Sequence, residues 1–105
     1  MSVERRRAPR YHLAAKAEIA SASSPVRLTA RTSDVSLLGC FMNTNYSLPA
    51  GTEIQLELKY EGATLVASGA VVRCEPSMGF GVSFRNMKAA QQKLLQKWLD
   101  SLLAS

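Results

Sequence analysis

The sequence predicts an all-β domain, a six-stranded antiparallel barrel followed by one C-terminal amphipathic α-helix. Three observations carry that reading. Short apolar segments alternate with polar residues at period two through most of the chain up to residue 84, as in half-buried strands. The chain has 105 residues, of which 47% are hydrophobic, enough for one domain with a modest core and too little for two. The last twenty residues change to a helical period.

Leu13, Ala15, Ala17 and Ile19 alternate with Lys16 and Glu18, and Val26, Leu28 and Ala30 alternate with Arg27, Thr29 and Arg31. These segments predict the first two strands. A short third strand fits Cys40 to Asn43. Ile54, Leu56, Leu58 and Tyr60 alternate with Gln55, Glu57 and Lys59, and Gly62 turns the chain into a long run from Thr64 to Arg73, which is a hairpin pattern. Met78 to Phe84 supplies the sixth strand, where Gly79 and Gly81 suggest a bulge or a close backbone approach. Six short strands in so few residues close most naturally into a barrel, because closure removes unpaired edges. Gly69, inside the longest run, is placed to bend it. From Asn86, a suitable N-cap, a helix follows whose apolar stripe is Ala90, Leu94, Trp98 and Leu102, with Leu95, Leu99 and Leu103 beside it. Such a helix either covers an open flank of the barrel or serves as a partner face. The predicted organisation is a flexible basic arm over 1–12, the barrel over 13–85 and the helix over 86–104.

Charge is concentrated at one end. Of the net +5, residues 1–16 contribute +4 through Arg5, Arg6, Arg7, Arg10 and Lys16 against Glu4, leaving +1 for the remainder. A basic arm on a nearly neutral body suggests an anionic partner held where the two meet. No apolar run approaches the ~18 residues needed to span a bilayer, so membrane insertion is not expected. The N-terminus lacks the apolar segment of a secretory leader, and a cytoplasmic location is expected. Cys40 and Cys74 have neither metal-ligand spacing nor a disulfide framework and read as reduced core residues. No metal and no cofactor is expected.

Two motifs stand at a suggestive separation: Arg6-Arg7-Ala8-Pro9-Arg10, an RxxxR preceded by Arg5, and Asp34-Val35-Ser36-Leu37-Leu38-Gly39, a DxSxxG. Together, and with the strand Gly69-Ala70-Val71-Val72-Arg73, the segment Gly79 to Phe84 and the closing helix, they resemble the PilZ domain. That family comprises small six-stranded barrels that bind the bacterial second messenger cyclic di-GMP. The resemblance implies a ligand site of Arg5, Arg6, Arg10, Asp34, Ser36 and Gly39, with no catalytic residue. An arginine directly before RxxxR is similar to members that hold an intercalated pair of ligands, which implies two stacked molecules per chain. Some members carry a base-stacking aromatic near the end of the strand occupied here by Val72, Arg73 and Cys74. This chain has none there, so that stacking is either absent or replaced, with Arg73 as the candidate replacement.

The chemistry is consistent with that ligand. A guanidinium donates a fork of hydrogen bonds to phosphate oxygens or to guanine O6 and N7, and it also stacks on a purine, whereas lysine offers a point charge. Pro9 keeps the arm extended or bent, so that it acts as a clamp. An ionised Asp34 accepts from the N1 and N2 donors of guanine and rejects adenine. Ser36 offers a hydroxyl, and Gly39 lets a ligand approach the backbone or takes positive φ in the turn. The same three residues also suit a plain turn. The expected mechanism is an arm that is mobile when empty, orders on the ligand and presents a new surface to a separate, unidentified downstream protein.

Other classes fit less well. A barrel binding single-stranded nucleic acid is supported by the arm, but the body is near neutral and seven aromatic residues form no stacking row, so DNA is not an expected partner. An enzyme would need His12 to work with Ser36 and Asp34 in the absence of any nucleophile elbow or phosphate loop. A scaffold binding protein alone is disfavoured by the intact motifs.

Overall fold

The structure is a computed structural model and describes residues 9–23, 25 and 27–104. Seven strands precede one helix: β1 (Tyr11–His12), β2 (Lys16–Ser21), β3 (Arg27–Val35), β4 (Gly39–Asn43), β5 (Glu53–Tyr60), β6 (Ala63–Glu75), β7 (Gly79–Arg85) and α1 (Ala89–Ala104). The order β3-β2-β5-β6-β7-β4 returns to β3 through a β3–β4 pairing, so six antiparallel strands form a closed barrel. The extra strand is a two-residue ribbon. Tyr11 and His12, read from sequence as arm, pair with Val35 and Asp34 at the end of β3. Val26 lies outside the described residues, and the strand expected to begin there starts at Arg27.

Alternation places one side chain of every two inside. Ala17, Ile19, Val35, Cys40, Met42, Ile54, Leu56, Leu58, Leu65, Val71, Phe80 and Val82 are all buried and fill the barrel. Between β5 and β6 the two-residue turn Glu61–Gly62 has φ of 50° and 80°, the pattern of a tight hairpin whose twist matches its strands. Gly69 lies where β6 passes from β5 to β7, and a Cβ there would come within 2.8 Å of the Ser83 carbonyl oxygen. The expected bend is therefore a point of close strand approach.

Two bulges interrupt the alternation. In β3, Thr32 faces Met42 and Asp34 faces Phe41, which leaves Ser33 as an extra residue. Strict alternation from Leu28 through Thr32 would send residue 34 inward; the bulge instead sends Val35 into the core and turns Asp34 outward. In β6, Val71 faces Val82 and Arg73 faces Gly81, so Val72 is extra and Arg73 is likewise kept outside.

The helix covers a flank of the barrel. Leu95, Trp98 and Leu99 are buried, and the Trp98 ring meets Tyr60 edge-on at 5.4 Å and 71°. Gln91 Oε1 accepts a 2.7 Å bond from the Val66 amide, on the stretch of β6 before its pairing with β7 begins. Ala90, placed on the apolar stripe from sequence, is exposed, because the buried face is centred on Leu95, Trp98 and Leu99; Leu103, placed beside the stripe, is exposed in the last turn. Asn86 is not the N-cap. It has φ of 51° at the end of β7, and the Lys88 carbonyl accepts the first helical bond, from Gln92.

Candidate functional site

The arm leaves the barrel beside Asp34. Three bonds pin its exit: the Thr32 hydroxyl, buried, donates to the Leu13 carbonyl and accepts from the Ala15 amide at 2.9 Å, while the Thr32 amide donates to the Ala15 carbonyl at 3.0 Å. Leu13 is buried and Tyr11 packs against the core, so residues 11–15 are fixed to β3. Thr32→Val keeps the shape but leaves a buried amide and a buried carbonyl unpaired. It should cost about 2–3 kcal/mol in chemical denaturation.

Immediately before β1, Arg10 reaches Asp34. Its Nη2 lies 2.6 Å and its Nε 2.8 Å from the same carboxylate oxygen, Oδ1. The side chains are 52% and 29% exposed, so the pair adds little to folding but holds residue 10 beside Asp34 on the outer face of the barrel. Arg10 of RxxxR and Asp34 of DxSxxG, 24 residues apart, therefore meet in one place. Arg5, Arg6 and Arg7 lie outside the described residues.

Ser36 and Gly39 shape the loop that follows Asp34. Ser36 is buried; its hydroxyl accepts from the Leu38 and Gly39 amides at 3.1 and 3.2 Å and donates to the Gly39 carbonyl at 3.4 Å. Its amide also donates to the Gly39 carbonyl at 2.8 Å. The Ser36 hydroxyl is thus spent inside the turn, which gives no support to a catalytic nucleophile or, in this conformation, to an outward ligand contact. Gly39 does not take the positive φ considered from sequence. A Cβ there would lie 2.0 Å from the Val82 carbonyl oxygen, so it is glycine that allows the loop to close onto β7.

Beneath Asp34, Cys40 is buried opposite Val35 and Val82. Its thiol is pushed up to about 12, first by burial, then by the Asp34 charge, with Arg10 opposing. It stays protonated and inert at neutral pH, and both cysteines are free. The unfolded thiol ionises near 9.0, so at higher pH the unfolded state binds fewer protons than the native one. The stability this thiol contributes should be complete below pH 9 and be lost progressively up to about 12, a decline that Cys40→Ala removes in alkaline denaturation scans.

The register extends the site across the barrel. His12, Asp34, Phe41, Gly81 and Arg73 are successive cross-strand partners on β1, β3, β4, β7 and β6. Arg73 Cζ lies 5.6 Å from the centre of the Phe41 ring, and Arg73 Nε is 3.1 Å from Glu75 Oε2. Phe41 went unnoticed in the sequence, although parity on β4 marks it: Cys40 and Met42 point in, so Phe41 points out. Among the described residues no cluster of His, Cys, Asp and Glu could hold a metal ion, and no helix is long and apolar enough to cross a membrane.

The sequence profile of the PilZ domain matches residues 4–101. The chain belongs to the PilZ domain family. PilZ domains are non-catalytic receptors of cyclic di-GMP, in keeping with the buried, turn-bound Ser36. No curated protein sequence matches the chain. Among solved structures, the fold is similar to the PilZ domain with c-di-GMP of YcgR from Escherichia coli, with TM-score 0.75 and 17% identity over 95% of this chain and 92% of that one. It is also similar to the PilZ domain of CeSA from a cellulose-synthesizing bacterium, with TM-score 0.72 and 18% identity over 90% of this chain and 97% of that one. A third is the inhibitor of motility MotI/DgrA of Bacillus subtilis, with TM-score 0.72 and 15% identity over 90% of this chain but 48% of that longer one. At these identities the likeness speaks to the fold, and family membership rests on the profile. Among the described residues, this PilZ domain thus joins Arg10 to Asp34 by an ion pair on the barrel exterior.

Proposed function

We propose that this PilZ domain is a cyclic di-GMP receptor in which Arg6 and Arg10 of the arm and Asp34 of the barrel clasp the ligand. The observation that carries the reading is the two-donor contact of Arg10 on Asp34, which unites the motifs. A guanidinium presents two neighbouring N–H donors to a carboxylate, and so does the N1 and N2 edge of guanine. The base therefore exchanges with Arg10 on Asp34, and Arg10 turns its freed donors to a phosphate or to O6 and N7. Ser36 and Gly39 contribute by holding the Asp34 loop, and Arg5 extends the clamp to a second, stacked ligand. The cost of ordering the arm, roughly 1–2 kcal/mol per residue, calls for several charge-assisted bonds, which explains why more than one arginine is needed. The composite of arm, ligand and barrel is then read by a downstream protein in trans.

Titration calorimetry of the chain with cyclic di-GMP, cyclic di-AMP, GTP and a short single-stranded DNA tests this reading. Cyclic di-GMP alone should bind tightly, with a fitted ratio near two. Binding of DNA that collapses with modest salt, with no response to cyclic di-GMP, would establish the nucleic-acid reading instead.

A further inference from the structure

We infer that Arg31, Lys16 and Lys59, a cationic row on the outside of the barrel, form a docking surface for an α-helix of a partner protein that carries a stripe of carboxylates. Its use as the output surface rests on the receptor reading above, whereas the docking itself does not. The three residues are successive cross-strand partners on β3, β2 and β5. All are exposed, and the row runs on to Asn43 on β4 at one end and to Thr64 on β6 at the other. It leads round the barrel from β3 through β2, away from the side on which Asp34 is followed by Phe41 and Gly81.

Like charges placed directly opposite one another on adjacent strands destabilise a sheet, and Lys16 has one on each side. The barrel itself supplies little to offset them. Glu18 lies 3.6 Å from Lys59, with both side chains half-exposed, while Lys16 and Arg31 have no ion pair among the described residues. A row that lowers stability and is left without counter-charges points to an anion supplied from outside.

Spacing and surroundings select the kind of anion. Adjacent strands stand ~4.8 Å apart, and the three cations are strung out at that interval. Side chains at i, i+4 and i+7 of an α-helix recur along one face at about 5–6 Å, so a helix laid across the strands brings one carboxylate to each cation. Two grooves of about 450 and 480 Å³, both lined by Lys16 and Arg31, reach Asn43 at one end of the row and Thr64 at the other, and they take the side chains that flank such a stripe. Acidic residues bound the row: Glu18 and Glu57, themselves partners across β2 and β5, and Glu61 beside Lys59 in the second groove. A nucleic-acid strand or an anionic bilayer spreads its charge more widely and meets these carboxylates too, whereas a single stripe meets the cations alone.

The test is fluorescence anisotropy of the full chain, at low salt, with a labelled alanine-based helical peptide carrying glutamates at i, i+4 and i+7. A second peptide of the same composition spreads its glutamates round the helix. The striped peptide should bind roughly tenfold more tightly than the scrambled one, the scale of three exposed ion pairs acting together. Combining Lys16→Gln, Arg31→Gln and Lys59→Gln should remove that preference and leave cyclic di-GMP affinity within twofold of wild type. Lys16→Gln alone should raise the denaturation midpoint, because it relieves repulsion on both sides. Equal binding of the two peptides, a preference that survives in the triple variant, a loss of cyclic di-GMP affinity in that variant, or a lower midpoint for Lys16→Gln would overturn the docking surface. So would a short single-stranded DNA or phosphatidylglycerol vesicles that bind wild type more tightly than the striped peptide and lose that binding in the triple variant. If wild type shows the expected peptide preference but does not bind cyclic di-GMP, the receptor reading fails and the docking surface stands.

Discussion

Arg10→Ala should abolish cyclic di-GMP binding while leaving the barrel folded. The size of the effect follows from what Arg10 does on each side of the exchange. Charge-assisted hydrogen bonds contribute about 1.5–3 kcal/mol each, so losing a forked pair to the ligand lowers affinity by at least about a hundredfold. The folded state loses only a contact between half-exposed groups, and thermal unfolding should be nearly unchanged. Arg10→Lys keeps the charge but not the fork, and should recover a small part of the affinity. Arg6→Ala should behave like Arg10→Ala, since a clamp closes from two sides. Calorimetric titration alongside thermal denaturation separates these effects, and tight binding retained in both alanine variants would rule the clamp out.

Asp34→Asn should change which base is accepted as well as how tightly. The carboxylate offers acceptors only, matching the paired donors of guanine. An amide offers one acceptor and one donor, so one of its contacts with the guanine edge becomes donor against donor. Leaving such a group unpaired in the bound state should cost about a hundredfold in affinity for cyclic di-GMP. The adenine edge presents one donor and one acceptor, and the preference over cyclic di-AMP should narrow accordingly. Competition between the two dinucleotides on wild type and variant measures the change. An unaltered preference would mean that Asp34 serves the arm alone. The fold of this variant should hold, because the bulge at Ser33 keeps residue 34 on the outer face whether or not it is charged.

The strands were legible because alternation is a direct imprint of burial: Ile54, Leu56 and Leu58 point inward and Gln55, Glu57 and Lys59 outward, as their pattern requires. Closure into a barrel followed from strand number and from the need to hide edges. The bulges were not legible, since an extra residue such as Ser33 or Val72 leaves no mark in composition, and it is the bulges that orient Asp34 and Arg73. Phe41 was hidden for a related reason, because an aromatic between Cys40 and Met42 resembles core until strand parity is known. Asn86 misled because asparagine favours both N-caps and left-handed backbone, and here the second preference prevails. Motif spelling marked Asp34, Ser36 and Gly39 alike, but packing separates them: Asp34 faces outward with Arg10, whereas Ser36 and Gly39 are consumed by the turn that carries it.

Guanine and Arg10 should compete for the Asp34 carboxylate, and a crystal structure of the chain grown with cyclic di-GMP tests this competition. Guanine N1 and N2 should be hydrogen-bonded to Asp34, with the Arg10 guanidinium moved onto a phosphate or onto O6 and N7. A ligand bound elsewhere on the barrel, with the Arg10 to Asp34 contact intact, would contradict it.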